Sequence, residues 1–162
     1  MKNFLAKLLQ RPGSSWHARE LYALVPPAST ERLGRWHEAF PAYDEVVGYS
    51  ALGHFFLRAS ASQEYAVVYP FKIAAKSYGV FSTVEAFEDN VLKDPGFEEY
   101  VLSPEHVASI RQRLGPLKEN EIYIPEPYPF LGGSEEPDTY AKGNVWVFAN
   151  ILGEMIELEG DD

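Results

Sequence analysis

The side chains in this sequence with a capacity for chemistry are four histidines, His17, His37, His54 and His106, and an acidic run, Glu135, Glu136 and Asp138. A metal site would need two or more of these imidazoles on one face of a helix or strand, in an HxH, HxxxH or HExxH pattern. None of those spacings occurs, so a metal would require long-range convergence. The chain has no cysteine, which removes disulfides, thiolate zinc sites and cysteine nucleophiles. There is no GxSxG elbow for a serine hydrolase. Gly132-Gly133-Ser134 has neither the GKS/GKT ending of a phosphate loop nor GxGxxG spacing, and reads as a turn requiring positive φ. Glu135, Glu136 and Asp138 work as paired acid and base only if burial or close pairing shifts a carboxyl pKa. As they stand they read as a solvated acidic loop. A hydrolase would need two carboxylates to converge with His54 or His106.

The elements that must carry these residues divide at about residue 41. Phe4, Leu5, Leu8 and Leu9 predict a short helix over 1–10, ended by Pro12-Gly13. Ser14 or Ser15 is expected to cap a second helix through Leu24, closed by Val25-Pro26-Pro27. Ser29-Thr30 offers a cap for a third over 31–40. From Asp44 the period shortens, and three antiparallel strands are expected near 45–50, 54–59 and 65–71. Residues 74–78 suit either a fourth strand or a bend. Ser82-Thr83-Val84-Glu85 matches a capping box at the head of a helix over 83–92. Ser103-Pro104 heads another over 104–114, with Val107, Ile110 and Leu114 as its apolar stripe.

Residues 121–125 then read as a short strand that leaves its sheet as a stiff arm, because Pro125, Pro127 and Pro129 have no N–H to donate. A strand entry near 143–146 and a helix over 147–157 complete the pattern. The expectation is an α+β fold with a central, mainly antiparallel sheet, helices packed on it, and a short helical N-terminal part. It is one domain over 1–162, made of a helical part over 1–41 and a mixed part over 42–158.

Charge narrows the function further. The net charge is −10, carried unevenly. Residues 1–81 hold nine Lys/Arg against six Asp/Glu; residues 82–162 hold five against eighteen, a balance of −13. An acidic half repels nucleic acid and attracts a basic partner. The cations are scattered, without the cluster a phosphate backbone requires. No stretch approaches the roughly 18 apolar residues of a membrane span. The N-terminal apolar stretch is broken by Lys7, so it is not expected to be a signal peptide.

Several stretches together resemble a bacterial family: GYSALGHFFLR, the helix headed by Ser82, LGPLKENEIYIPEPYPFLGGS, Asp138, and NVWVFANILGEM. The family is that of immunity proteins neutralising a DNase toxin of the type VI secretion system, whose immunity domain often follows a GAD-like region. The resemblance runs over roughly 45–157. Its most specific part is Pro129, Leu131, Gly132 and Gly133, followed by the acidic loop and Ile151-Leu152-Gly153. It implies a cytoplasmic, non-enzymatic inhibitor that binds a cognate toxin, and the charge fits a basic nuclease. No cofactor is expected, and charge and hydropathy argue against direct nucleic-acid or membrane binding.

From charge and expected exposure, the partner-binding residues are Glu85, Glu88 and Asp89 on the first helix, Glu135, Glu136 and Asp138 in the loop, and the neighbouring rings Tyr128 and Tyr140. A ligand- or peptide-binding regulatory domain, using the aromatic-lined proline arm as a groove, is the alternative. A pocket of several hundred Å3 lined by aromatic rings would favour it.

Overall fold

The computed structural model describes residues 15–17 and 20–160. Six strands form one sheet in sequence order: β1 (Ser15–His17), β2 (Tyr22–Ser29), β3 (Glu45–Ser50), β4 (Phe55–Ala59), β5 (Glu64–Tyr69) and β6 (Ala74–Val80). Every neighbouring pair is antiparallel. A separate ribbon pairs β7 (Glu121–Pro125) with β8 (Tyr140–Asn144). The helices are α1 (Trp36–Ala39), α2 (Val84–Phe87), α3 (Pro95–Phe97), α4 (Pro104–Leu114) and α5 (Val145–Gly160). Both α2 and α3 continue as wider π-helical turns, over Glu88–Leu92 and Glu98–Leu102. Lys93 N–H reaches Glu88 O and Ser103 N–H reaches Glu98 O, each at 2.9 Å, the i to i−5 pattern of a π turn.

The central strands are apolar at nearly every position because both faces of the sheet are covered. Tyr22, Val47, Phe56, Tyr65 and Val67 pack under the 84–114 helices, against Phe87, Leu92, Phe97, Val107 and Ile110. Ala23, Val46, Tyr49, Phe55, Leu57 and Val68 face the other way, onto Leu33, Trp36 and the inner side of α5. Phe87 stacks on Tyr65 with ring centroids 4.6 Å apart. Trp36 donates its indole N–H to Ala149 O at 3.0 Å, tying α1 to α5 across 113 residues. The β7–β8 ribbon joins the main body where Tyr123 N–H reaches Ala51 O at 2.8 Å. Ile122 and Ile124 then fall in one core and Tyr123 in the other.

The α+β fold with helices on a mainly antiparallel sheet is as expected. Within the described residues up to 41, the expected helices are corrected. Residues 22–29 form a strand, where a helix through Leu24 was expected. Pro26 and Pro27 sit beyond the Leu24–Gly48 pair, in a register break that resumes at Ala28, so neither is asked for a ladder hydrogen bond. The prolines thus interrupt a strand's pairing; they do not close a helix. The helix expected over 31–40 is shorter and divided, a 3-10 turn over Thr30–Leu33 and then α1. Gly34 separates the two at φ 66°. The helix expected over 1–10 lies outside the described residues.

The remaining boundaries fall close to expectation. Residues 74–80 resolve as strand β6. The expected strand over 143–146 ends earlier, at Asn144, and α5 begins at once. Asn144 Oδ1 accepts from Trp146 N–H (2.9 Å) and Val147 N–H (3.1 Å), capping the first turn of α5. The cap of α2 is Thr83 and not Ser82: Thr83 Oγ1 accepts from Ala86 N–H at 3.0 Å. Ser103 precedes α4 at φ 54°, and its side chain makes no capping bond.

Candidate functional site

The structure separates the predicted contact residues into two groups and buries part of each. On the first helix, Glu85 and Asp89 are exposed. Glu88 is half-buried and accepts a 2.6 Å hydrogen bond from Tyr22 OH, so it anchors the helix to the sheet. Burial and that carboxylate push the Tyr22 phenol far above its ordinary range. In the loop, Glu135, Glu136 and Asp138 are all exposed. The loop is held by its backbone and small side chains. Glu136 N–H donates to Ser134 Oγ at 2.9 Å, and Thr139 Oγ1 reaches Ser134 O and Glu136 O at 2.9 Å each. Its carboxylates are therefore free of the loop's own construction. A 3-10 turn over Pro137–Thr139 packs it on α4.

Tyr140 was expected at the surface, but it is only 5% exposed. Its hydroxyl lies 3.1 Å from His106 Nε2. Burial, with Glu135 adding, pushes its phenol up to about 12. Tyr128 is half-buried between Phe71, Phe130 and Phe148, at 5.8, 5.8 and 5.9 Å between ring centroids. The proline arm therefore folds its rings together. Phe130 and Leu131 remain exposed at its tip.

The two glycines of the following turn are required for different reasons. Gly132 sits at φ 91° with open space around it. Gly133 lies where a methyl group would overlap the Pro127 carbonyl oxygen. Positive φ accounts for the first and close backbone approach for the second.

Two depressions flank the start of α4. One, about 850 Å3 and open, runs between the helical segment at 93–100 and the start of α4. Glu99 and Glu105 stand exposed on it beside Tyr100, which is 81% exposed. Sequence spacing did not single these out; Tyr100 follows two glutamates in the stretch between the two expected helices.

The second, of about 450 Å3, is where four separate segments meet. His54 comes from the β3–β4 turn, and Tyr69 to Lys72 from the end of β5 and the turn after it. Tyr100, Val101, Ser103 and His106 come from the helical segments, and Glu135 and Tyr140 from the loop and β8. Both candidate histidines, His54 and His106, meet here, but of the two carboxylates a hydrolase would need, Glu135 alone lines the cavity. Among the described residues, no group of three His, Asp or Glu is placed to hold a metal ion. No described helix is long and apolar enough to cross a membrane.

Comparison with known proteins places this architecture. A family model described as T6SS immunity protein Tdi1, C-terminal, matches residues 82–156. The match supports the type VI secretion immunity family expected from the residues. It starts at Ser82, so strands β3 and β4, which the resemblance took in, lie outside it. No protein of curated function matches the chain. Among solved structures, the crystal structure of Atu4351 from Agrobacterium tumefaciens superposes with a TM-score of 0.61 at 14% identity, covering 94% of this chain and 75% of that one. At that identity the likeness is one of fold.

Proposed function

We propose that this protein neutralises a secreted nuclease toxin by binding it, without a reaction of its own, through the exposed acidic residues of the segment 82–154. The observation that carries the reading is the match of residues 82–156 to a type VI immunity domain, on a half-chain whose charge balance is −13. Nucleases present cationic surfaces to DNA, and an anionic inhibitor is steered onto them at long range. Glu135, Glu136 and Asp138 are exposed beside α4 and not needed to build their loop. They are the first choice for contact. Glu99, Tyr100 and Glu105 extend that surface, with Tyr100 as an aromatic anchor of the kind that dominates interfaces.

The test is titration against a candidate toxin, sought in the product of the adjacent gene. Reversing Glu135, Glu136 and Asp138 to Lys should weaken binding by at least about tenfold, roughly 1.4 kcal/mol, with most of the loss in the association rate at low salt. The circular dichroism and melting of the variant should match the parent. Unchanged affinity would move the interface off this loop; absence of any binding by the parent would end the inhibitor reading for that pair.

A further inference from the structure

The 450 Å3 cavity is within the size range of small-molecule sites, about 300–1,000 Å3. Its hydrogen-bonding character can be read atom by atom. Ser50, only 1% exposed, accepts at Oγ from Leu52 N–H (3.2 Å) and His54 N–H (3.0 Å). Its single hydroxyl proton is therefore directed to His54 Nδ1, 2.7 Å away. That makes Nδ1 the acceptor and leaves the proton of the neutral ring on Nε2. Tyr69 holds the ring edge-on, 5.3 Å between centroids at 83°. Among the described residues no protein acceptor meets His54 Nε2–H.

A second donor is Lys72. It stands exposed at the rim, forms no ion pair among the described residues, and has Tyr69 as its ring neighbour, 5.9 Å from Nζ to centroid. Its charge adds to burial in pushing the His54 imidazolium down to about 4, so the ring stays a neutral donor at physiological pH. A third contribution is the start of α4. Ser103 and His106 line the cavity, Pro104 has no N–H, and Ser103 leaves the first turn without a side-chain cap. These residues set the first turn of an eleven-residue helix beside the cavity, its positive end partly offset by Glu105 in the same turn. Facing these groups, Glu135 supplies the cavity's one carboxylate, Tyr69 and Phe71 supply ring walls, and Tyr100 stands exposed at the edge.

From the convergence of the His54 Nε2–H donor, Lys72 and the uncapped start of α4 on one ring-walled cavity, we infer that it binds a small ligand carrying an oxyanion, carboxylate or phosphate, on a flat ring. The oxyanion lies between Lys72, His54 and the start of α4, and the ring lies against the tyrosines. Glu135 opposes the anion, so it sets selectivity at the rim. Bound negative charge offsets Lys72 and raises the proton affinity of His54, which couples binding to proton uptake. The groups facing His54 are Lys72 from the turn after β5, Tyr69 from β5, His106 from α4, Glu135 from the loop and Tyr140 from β8. Among them Lys72 and Glu135 carry opposite charges.

The experiment follows the His54 ring resonance, assigned by its loss in His54→Gln, while inorganic phosphate, acetate or adenosine 5′-monophosphate is added. The expected result is a saturable shift with a rise in the His54 midpoint, larger with the ring-bearing phosphate than with the bare ion. Phosphate and acetate arms separate the two oxyanion classes. Lys72→Gln should weaken binding and Glu135→Gln should tighten it, each by about fivefold, as expected for a partly screened charge. Both side chains are exposed, so neither change threatens the fold. A His54 resonance unmoved by all three probes into the tens of millimolar overturns the inference. So does a response that both variants leave the same.

Discussion

His54 gives the clearest quantitative prediction. Its imidazole, ordinarily half-protonated near pH 6.5, is held down to about 4 by burial first and by Lys72 second. A histidine with a depressed folded pKa lets the unfolded chain take up its proton first as pH falls. Stability is therefore unaffected above about pH 7, is lost between about pH 6.5 and 4, and loses nothing more from this group below that. Between pH 7 and 4.5 the loss works out to about 2 kcal/mol. The paired carboxylates also lose stability in acid. Asp44, for example, is held below its usual range by hydrogen bonds from the Ser60 hydroxyl and N–H. A comparison removes that background.

His54→Gln keeps a side chain of similar reach but cannot titrate. Urea unfolding of both proteins at half-unit steps from pH 7 to 4.5 should show the parent losing about 2 kcal/mol more than the variant. At pH 7 the variant is expected to be less stable than the parent, because the bond to Ser50 Oγ is altered, so the slope with pH is the quantity to read. Parallel pH profiles, or a His54 resonance titrating near 6.5, would refute the reasoning. They would mean the ring is wet and rotates free of Ser50.

Two further substitutions test the local structure. Thr83→Ala should cost about 1 kcal/mol in urea unfolding, because it removes the cap of α2, whereas Ser82→Ala should be near neutral. The reverse order would restore Ser82 as the cap. Gly133→Ala should destabilise by about 2 kcal/mol or more through overlap with Pro127 O, and Gly132→Ala by about 1 kcal/mol through its positive φ alone. Equal costs at the two positions would show that the arm relaxes around the added methyl.

Much of this protein was legible in one dimension. Strands β3, β4 and β5 were visible because two-sided burial writes Val, Phe and Tyr at nearly every position. Helix α4 was visible because Pro104 starts it, Gly115 stops it, and Val107 and Ile110 keep helical spacing between them. The charge imbalance and the immunity-domain signature of residues 82–156 are also properties of order and composition alone.

What the chain's order did not reveal depends on distant neighbours. Tyr22–Ser29 reads locally as a prolyl stop after a helix, and becomes a strand because Ser50 and Gly48 lie alongside to pair with it. Tyr140 reads as an exposed ring beside acids, and is buried because α4 lies over it. The cavity joins residues from 52 to 140, and no local spacing encodes that meeting. Local propensity and pattern act within a few residues, so the sequence determined elements and charge. Which donors share a space, and which carboxylate opposes them, was decided by how the sheet, the helical segments and the 132–140 loop close on one another.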